Sequence, residues 1–201
     1  MAMPAYAEGW DDVPQPERSD PFAQTVLQIM TGHTWTEADL AHLPREYRYE
    51  IIDGRLLATP PASEDHQVWC SWAYDVLRPA APTGWRVLWD IGLRLGDDLF
   101  IPDLVVLPPD TPVASRAYNS VFPALVVEVE SRSTKSVDRV DKLERYELGI
   151  EAYWRIERTG TVNIYRLTGD GYGEPLVLKP GDSVELDFPF PATVTVPRET
   201  R

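Results

Sequence analysis

Between Leu99 and Leu107 the chain reads Leu-Phe-Ile-Pro-Asp-Leu-Val-Val-Leu, and every residue is apolar or proline except Asp103. A run of that kind is the pattern of a strand covered on both faces, so a carboxylate inside it needs a reason. The next apolar run, Ala124-Leu-Val-Val-Glu-Val-Glu-Ser131, alternates. Val126, Glu128 and Glu130 fall on one face of a strand there, and Leu125, Val127 and Val129 on the other. If the two strands pair, Asp103 and Glu128 become neighbours. Two carboxylates a few ångströms apart in a low dielectric repel, so one holds a proton or a cation sits between them. Hard oxygen ligands favour magnesium, manganese or calcium. The plainer alternative is a structural Asp bonded to backbone amides or an Arg, and a Glu that reaches the surface at a strand end.

The rest of the chain supplies elements around this pair. Met1 to Pro21 is rich in Pro, Asp, Glu and Gly and reads as a flexible arm, with a short helix over Phe22–Met30. Thr36 caps a short helix that ends before Pro44. Tyr47 to Thr59 alternates about Asp53-Gly54, a two-residue hairpin signal that makes Asp53 a turn residue. Glu50 on that hairpin is either a solvent-side residue or an acid near the site. Ser63 opens a helix to about Arg78, with Val68, Trp69, Trp72, Ala73, Val76 and Leu77 at helical spacing. His66 lies in its first turn, where a lone histidine is more often a cap or a surface residue, and Cys70 reads as a buried, inert thiol.

Trp85 to Leu95 alternates as one strand and turns at Gly96-Asp97-Asp98 into the Asp103 strand. Pro108 to Val121 reads as a loop, with Arg116 and Tyr118 in solvent. After the Glu128 strand, Ser133 or Ser136 caps a helix that ends near Gly149. Asp138, Lys142 and Tyr146, spaced by four, share a stripe of it beside Val140, Leu143 and Ile150. Ala152–Ile156 and Val162–Arg166 are two strands about a Thr-Gly turn, with weaker strand signals near Leu176 and Val184.

Taken in order, Tyr49-Glu50-Ile-Ile-Asp53-Gly54, Ser63-Glu-Asp-His66-Gln67, Pro102-Asp103, Val126-Val-Glu128-Val-Glu-Ser131-Arg-Ser-Thr134, and Asp138 with Lys142 and Tyr146 ahead of Gly149-Ile150 and Tyr153-Trp154 form an ordered set. It resembles the PD-(D/E)xK restriction-endonuclease-like superfamily, and within it the bacterial Uma-type restriction endonuclease family, over about Trp35 to Val196. The resemblance implies an α/β fold, a mixed, largely antiparallel central sheet flanked by helices. It implies a metal-dependent endonuclease that hydrolyses DNA phosphodiester bonds, with Asp103 and Glu128 holding Mg²⁺ or Mn²⁺ and Lys142 as a lysine migrated from the strand to the helix. Glu50 is then a supplementary acid, and a homodimer is implied by analogy. Two departures stand out. Position 130, aliphatic in the family and lysine in the parent motif, is Glu130, which either adds a metal ligand or spoils the site, and the step from Tyr146 to Gly149 is one residue short.

The 201 residues, 43% of them hydrophobic, suffice for one core, expected over 35–196 with an acidic arm at 1–34 and a tail at 197–201. Neither a membrane span nor a secretory signal is visible, and the single cysteine fits a reducing cytoplasm. The net charge of −13 argues against nucleic-acid binding, which draws its affinity from Lys and Arg at phosphates. Its distribution weakens that argument. Residues 1–34 hold five acids and one base and residues 170–201 six acids and three bases, whereas five bases face three acids between Arg132 and Arg145. The rivals are a nuclease-fold binding or assembly module that has lost its chemistry and a carboxylate-pair glycosidase.

Overall fold

The computed structural model describes residues 32–198 apart from 45–46, 60–61, 115–116, 131–141 and 170. The expected Phe22–Met30 helix, Arg116, the capping Ser133 or Ser136, and Asp138 lie outside the described residues.

Local chemistry sets the first elements. Thr36 donates from its backbone N–H and its hydroxyl to the Asp39 carboxylate, at 2.8 and 2.7 Å, and so caps α1 (Glu37–Leu40). Strands β1 (Arg48–Ile52) and β2 (Arg55–Thr59) pair antiparallel about Asp53 and Gly54, both at positive φ. Two such residues make the turn whose twist matches that of the strands. Ser63 precedes α2 (Glu64–Ala80), which buries Trp69, Cys70, Ala73 and Leu77 along one stripe.

The central hairpin departs from expectation. Trp85–Leu95 is two strands, β3 (Arg86–Trp89) and β4 (Gly92–Leu95), and Leu99–Leu107 is also two, β5 (Asp98–Phe100) and β6 (Leu104–Leu107). β3 pairs with β6 and β4 with β5, so one long hairpin is bent across its middle and serves two sheets. Asp90, with φ of 50°, makes the bend on one arm. Pro102, which has no N–H for a ladder, marks it on the other. The Asp90 N–H donates to the Asp103 carbonyl at 3.4 Å and ties the arms together there. The alternation from Trp85 to Leu95 therefore serves two cores: Val87 packs in one, Leu93 in the other.

β8 (Leu125–Val129) pairs antiparallel with β6 and parallel with β9 (Ala152–Ile156), and the crossover between β8 and β9 contains α3 (Lys142–Tyr146). β10 (Val162–Thr168), β11 (Gly171–Tyr172) and β12 (Leu176–Leu178) extend this sheet, with β11 and β12 both on β10 and β3 at the far edge. The described residues form two further sheets instead of the one expected. β2, β1, β5, β4 and β7 (Tyr118–Asn119) lie side by side in that order, and β13 (Ser183–Leu186) pairs with β14 (Ala192–Thr195). The expected loop over 108–121 thus contains a strand. β7 runs parallel to β4, and the Tyr118 hydroxyl donates to the Tyr49 carbonyl. The architecture is α/β with mixed, largely antiparallel sheets, as read from the sequence.

The alternation of β8 holds. Leu125, Val127 and Val129 pack with Trp69, Ala73, Leu77 and Trp154 in one core, while Val126 packs with Tyr146, Ile150 and Tyr153 in a second. No helix among the described residues is long and apolar enough to cross a membrane.

Candidate active site

The bend of the hairpin places Asp103 one residue before β6. Leu104 is opposite Val127, so the same register sets Asp103 opposite Glu128. The Val129 N–H donates to Asp103 Oδ2 at 2.8 Å, and His66 Nε2 on α2 lies 3.2 Å from the same oxygen. Asp103 is thus held from the strand and from α2. Glu128 is held from α3, where Lys142 Nζ and the Tyr146 hydroxyl, one helical turn apart, both donate to Oε1 at 2.9 and 2.7 Å. Glu50, on β1, accepts from the Ile101 N–H at 2.9 Å and from Lys142 Nζ at 3.0 Å, both at Oε1. The bend that makes room for Asp103 is therefore also where Glu50 is anchored.

Burial decides what this cluster costs. Glu50, Asp103, Glu128 and Lys142 are 4%, 7%, 3% and 3% exposed. The solvent-side alternative for Glu50 fails, because its carboxylate lies against the ammonium of Lys142. Buried charges persist only when paired or bound to a metal. Among the described residues this cluster carries three carboxylates and one ammonium, an excess of negative charge that suits a hard divalent cation. Tyr146 stays a phenol and a donor, since burial, followed by the charge of Glu128, holds its pKa well above the usual tyrosine value.

Glu130 is placed differently. It is equally buried, its N–H donates to the Ile156 carbonyl at 2.8 Å, and its carboxylate lies 3.4 Å from Arg155 Nε. Arg155 is the register partner of Glu128 on β9 and also approaches Glu157, at 3.6 Å. The acid that breaks the motif at position 130 thus has its own counter-ion on the adjacent strand.

Three of the five candidate residues, Glu50, Glu128 and Lys142, are joined through the Lys142 ammonium; Asp103 stands opposite Glu128 in the strand register, and Glu130 pairs with Arg155. His66 and Arg155 were not singled out from the sequence for these places. His66 is not at the surface: its side chain is 10% exposed and faces Asp103. Arg155 carried the same signal as Asp103, a charged residue inside the apolar strand Ala152-Tyr-Trp-Arg-Ile156.

Residues 36–198 match the Uma2 family, whose description is "Putative restriction endonuclease". The chain belongs to the Uma2 family. A solved structure described as "a putative nuclease belonging to DUF820", from Anabaena variabilis, is similar to it with a TM-score of 0.59 and 21% identity, over 76% of this chain and 89% of that one. At that identity the likeness speaks for a shared fold. No curated protein matches the chain. Within this Uma2 chain, the buried acids sit at the positions that carried the resemblance, on β1, before β6 and on β8, and the lysine sits on α3.

Proposed function

We propose that the chain is a metal-dependent endonuclease that hydrolyses DNA phosphodiester bonds, with Asp103 and Glu128 as ligands of Mg²⁺ or Mn²⁺ and Glu50 as a supplementary acid. The observation that carries this reading is Lys142, buried between Glu50 and Glu128 at 3.0 and 2.9 Å, on a helix rather than at the motif position on the strand. The donor set fits the ion: oxygen ligands, buried, with negative charge in excess of the one ammonium. When bound, such an ion lowers the pKa of a coordinated water and stabilises charge on the scissile phosphate.

The protein's own groups do the rest. Val129 and His66 fix the Asp103 carboxylate, and Tyr146 and Lys142 fix that of Glu128, so neither acid has to reorganise as charge develops. Lys142 brings a positive charge to the attacking water or to the phosphate. Glu130, within ion-pair distance of Arg155, is read as part of that charge pair and as neither a metal ligand nor a poison of the site. DNA as substrate, a homodimer and a cytoplasmic location follow from family analogy.

A second reading, a nuclease-fold binding or assembly module without turnover, is favoured by the net charge of −13. The two separate in one assay, cleavage of a duplex oligonucleotide in Mn²⁺ by the wild type and Asp103→Asn, with and without chelator. The nuclease reading expects cleavage by the wild type alone and its loss on chelation. No turnover in any condition supports the binding module.

A further inference from the structure

The charge of the chain and the proposed substrate pull in opposite directions. Phosphates are gripped by Lys and Arg, yet the chain carries a net −13, and Lys142 and Arg155 beside the acids already face carboxylates. A nucleic acid has a second, neutral handle in its bases, which stack on aromatic rings. Such a ring stands next to the acids.

Trp89 ends β3, the strand at the edge of its sheet, and is opposite Leu104. The next residue is Asp90, whose N–H donates to the Asp103 carbonyl. Neighbouring strands lie about 5 Å apart, so the backbone of Trp89 stands one strand from Asp103 and two from Glu128. Its side chain falls on the face that Val87 shows to α2. There it stacks on Tyr74, with ring centroids 5.0 Å apart and planes 27° from parallel. His66, which touches Asp103, lies on the same stripe of α2 two turns earlier, about 12 Å along the axis.

Trp89 is 37% exposed in spite of that stack, so its open area lies on the side away from Tyr74. It has company: Tyr47, 51% exposed, precedes Arg48, and Arg48 pairs with Asp90, so two exposed aromatic residues flank the ion pair at the bend.

We propose that Trp89, backed by Tyr74, is a stacking platform for one unpaired base of the DNA strand, beside the scissile phosphate. The inference rests on the nuclease reading and names its substrate class, DNA in which a base is free to leave its stack. Tyr74 fixes the plane of the indole, and the base adds a third layer on the open side. Every base has a π-face, so the platform tolerates any sequence, and its grip needs no cation. Duplex remains a substrate at the cost of unstacking one base.

Binding is measured in chelator, where the nuclease reading expects no turnover, by fluorescence anisotropy with three probes of one length. They are a single-stranded oligodeoxynucleotide, its duplex, and a strand of abasic sites that keeps the phosphates and lacks the bases. The wild type should bind the single strand more tightly than either of the others. Trp89→Ala should weaken binding of the single strand about 5–150-fold, Trp89→Phe should lose less, and neither should change affinity for the abasic strand. The platform is overturned by a wild type that does not distinguish the single strand from the abasic one, or by a Trp89→Ala variant that binds the single strand unchanged. An equal loss on the abasic strand also overturns it. So does a wild-type dimer that Trp89→Ala dissociates with no dependence on bases, which would make the aromatic pair an interface between copies. Cleavage in Mn²⁺ is scored separately. Cleavage by the wild type without base-dependent binding sinks the platform alone, whereas base-dependent binding without cleavage sinks the nuclease reading and leaves the platform standing.

Discussion

The two faces of β8 differ in what they bury. Toward α2, Leu125, Val127 and Val129 meet an apolar core. Toward α3, Val126 begins a second apolar core, but two residues on Glu128 is buried as deeply and is paired with Lys142 and Tyr146. One face holds together by area removed from water, which is non-directional and tolerant of repacking. The other holds by charges that are stable only as a set, because each becomes a liability when its partner is removed. A strand that needed only stability could present Val at 128 and 130 as it does at 127 and 129. The charged face is therefore better explained by a ligand than by the fold.

The largest effect should come from breaking the set. Lys142→Met leaves Glu50 and Glu128 buried without their ammonium and should cost about 3–5 kcal/mol in urea unfolding, in line with other broken buried pairs. Leu77→Ala on the apolar face should cost about 2–5 kcal/mol through the cavity it leaves. Mn²⁺ separates the two variants. Its stabilising increment should be larger than wild type in Lys142→Met, where negative charge has been uncovered, and equal to wild type in Leu77→Ala. Equal increments in all three proteins would break the comparison.

Next comes the pair that the sequence made look harmful. Glu130→Val should destabilise by about 1–3 kcal/mol, as for a buried partner left unsatisfied, tempered by Glu157 beside Arg155. The double variant Glu130→Val/Arg155→Leu should recover part of that loss, a coupling of about 0.5–3 kcal/mol read from a double-mutant cycle. Strict additivity would show that the two residues do not act as a unit. The smallest effect belongs to the rim. Arg145, one third exposed between Asp53 and Asp98, should change stability by no more than about 1 kcal/mol on replacement by Ala.

What was legible in the sequence was what local rules govern. Asp53-Gly54 announces its turn because both residues must take positive φ, Ser63 marks the helix start although its hydroxyl donates to the Asp65 carboxylate and caps no backbone N–H, and Glu128 and Glu130 announce a face because strand period is two. The bend at Asp90 and Pro102 was not legible, because the alternation of one arm and the apolar run of the other continue through it and only tertiary structure assigns their halves to different cores. It mattered, since it gives Asp103 its place at a corner. His66 was misjudged for the same reason: a first-turn histidine looks exposed until the partner that covers it is known. Arg155 was legible by the criterion applied to Asp103, and counting charged exceptions in every apolar strand would have found it.

The central claim is that the charged face exists for chemistry, and Lys142 tests it most directly. A lysine acting on charge developing in the transition state lowers turnover far more than binding when removed, whereas a lysine that only neutralises its neighbours does not. The measurement is single-turnover cleavage of a duplex oligonucleotide in saturating Mn²⁺ by the wild type, Lys142→Arg and Lys142→Ala, at a temperature where circular dichroism shows each to be folded. The expected result is cleavage by the wild type and a loss of about a hundredfold or more in Lys142→Ala, with DNA affinity nearly unchanged. Cleavage by the folded Lys142→Ala variant at the wild-type rate, or no cleavage by the wild type, would contradict the account.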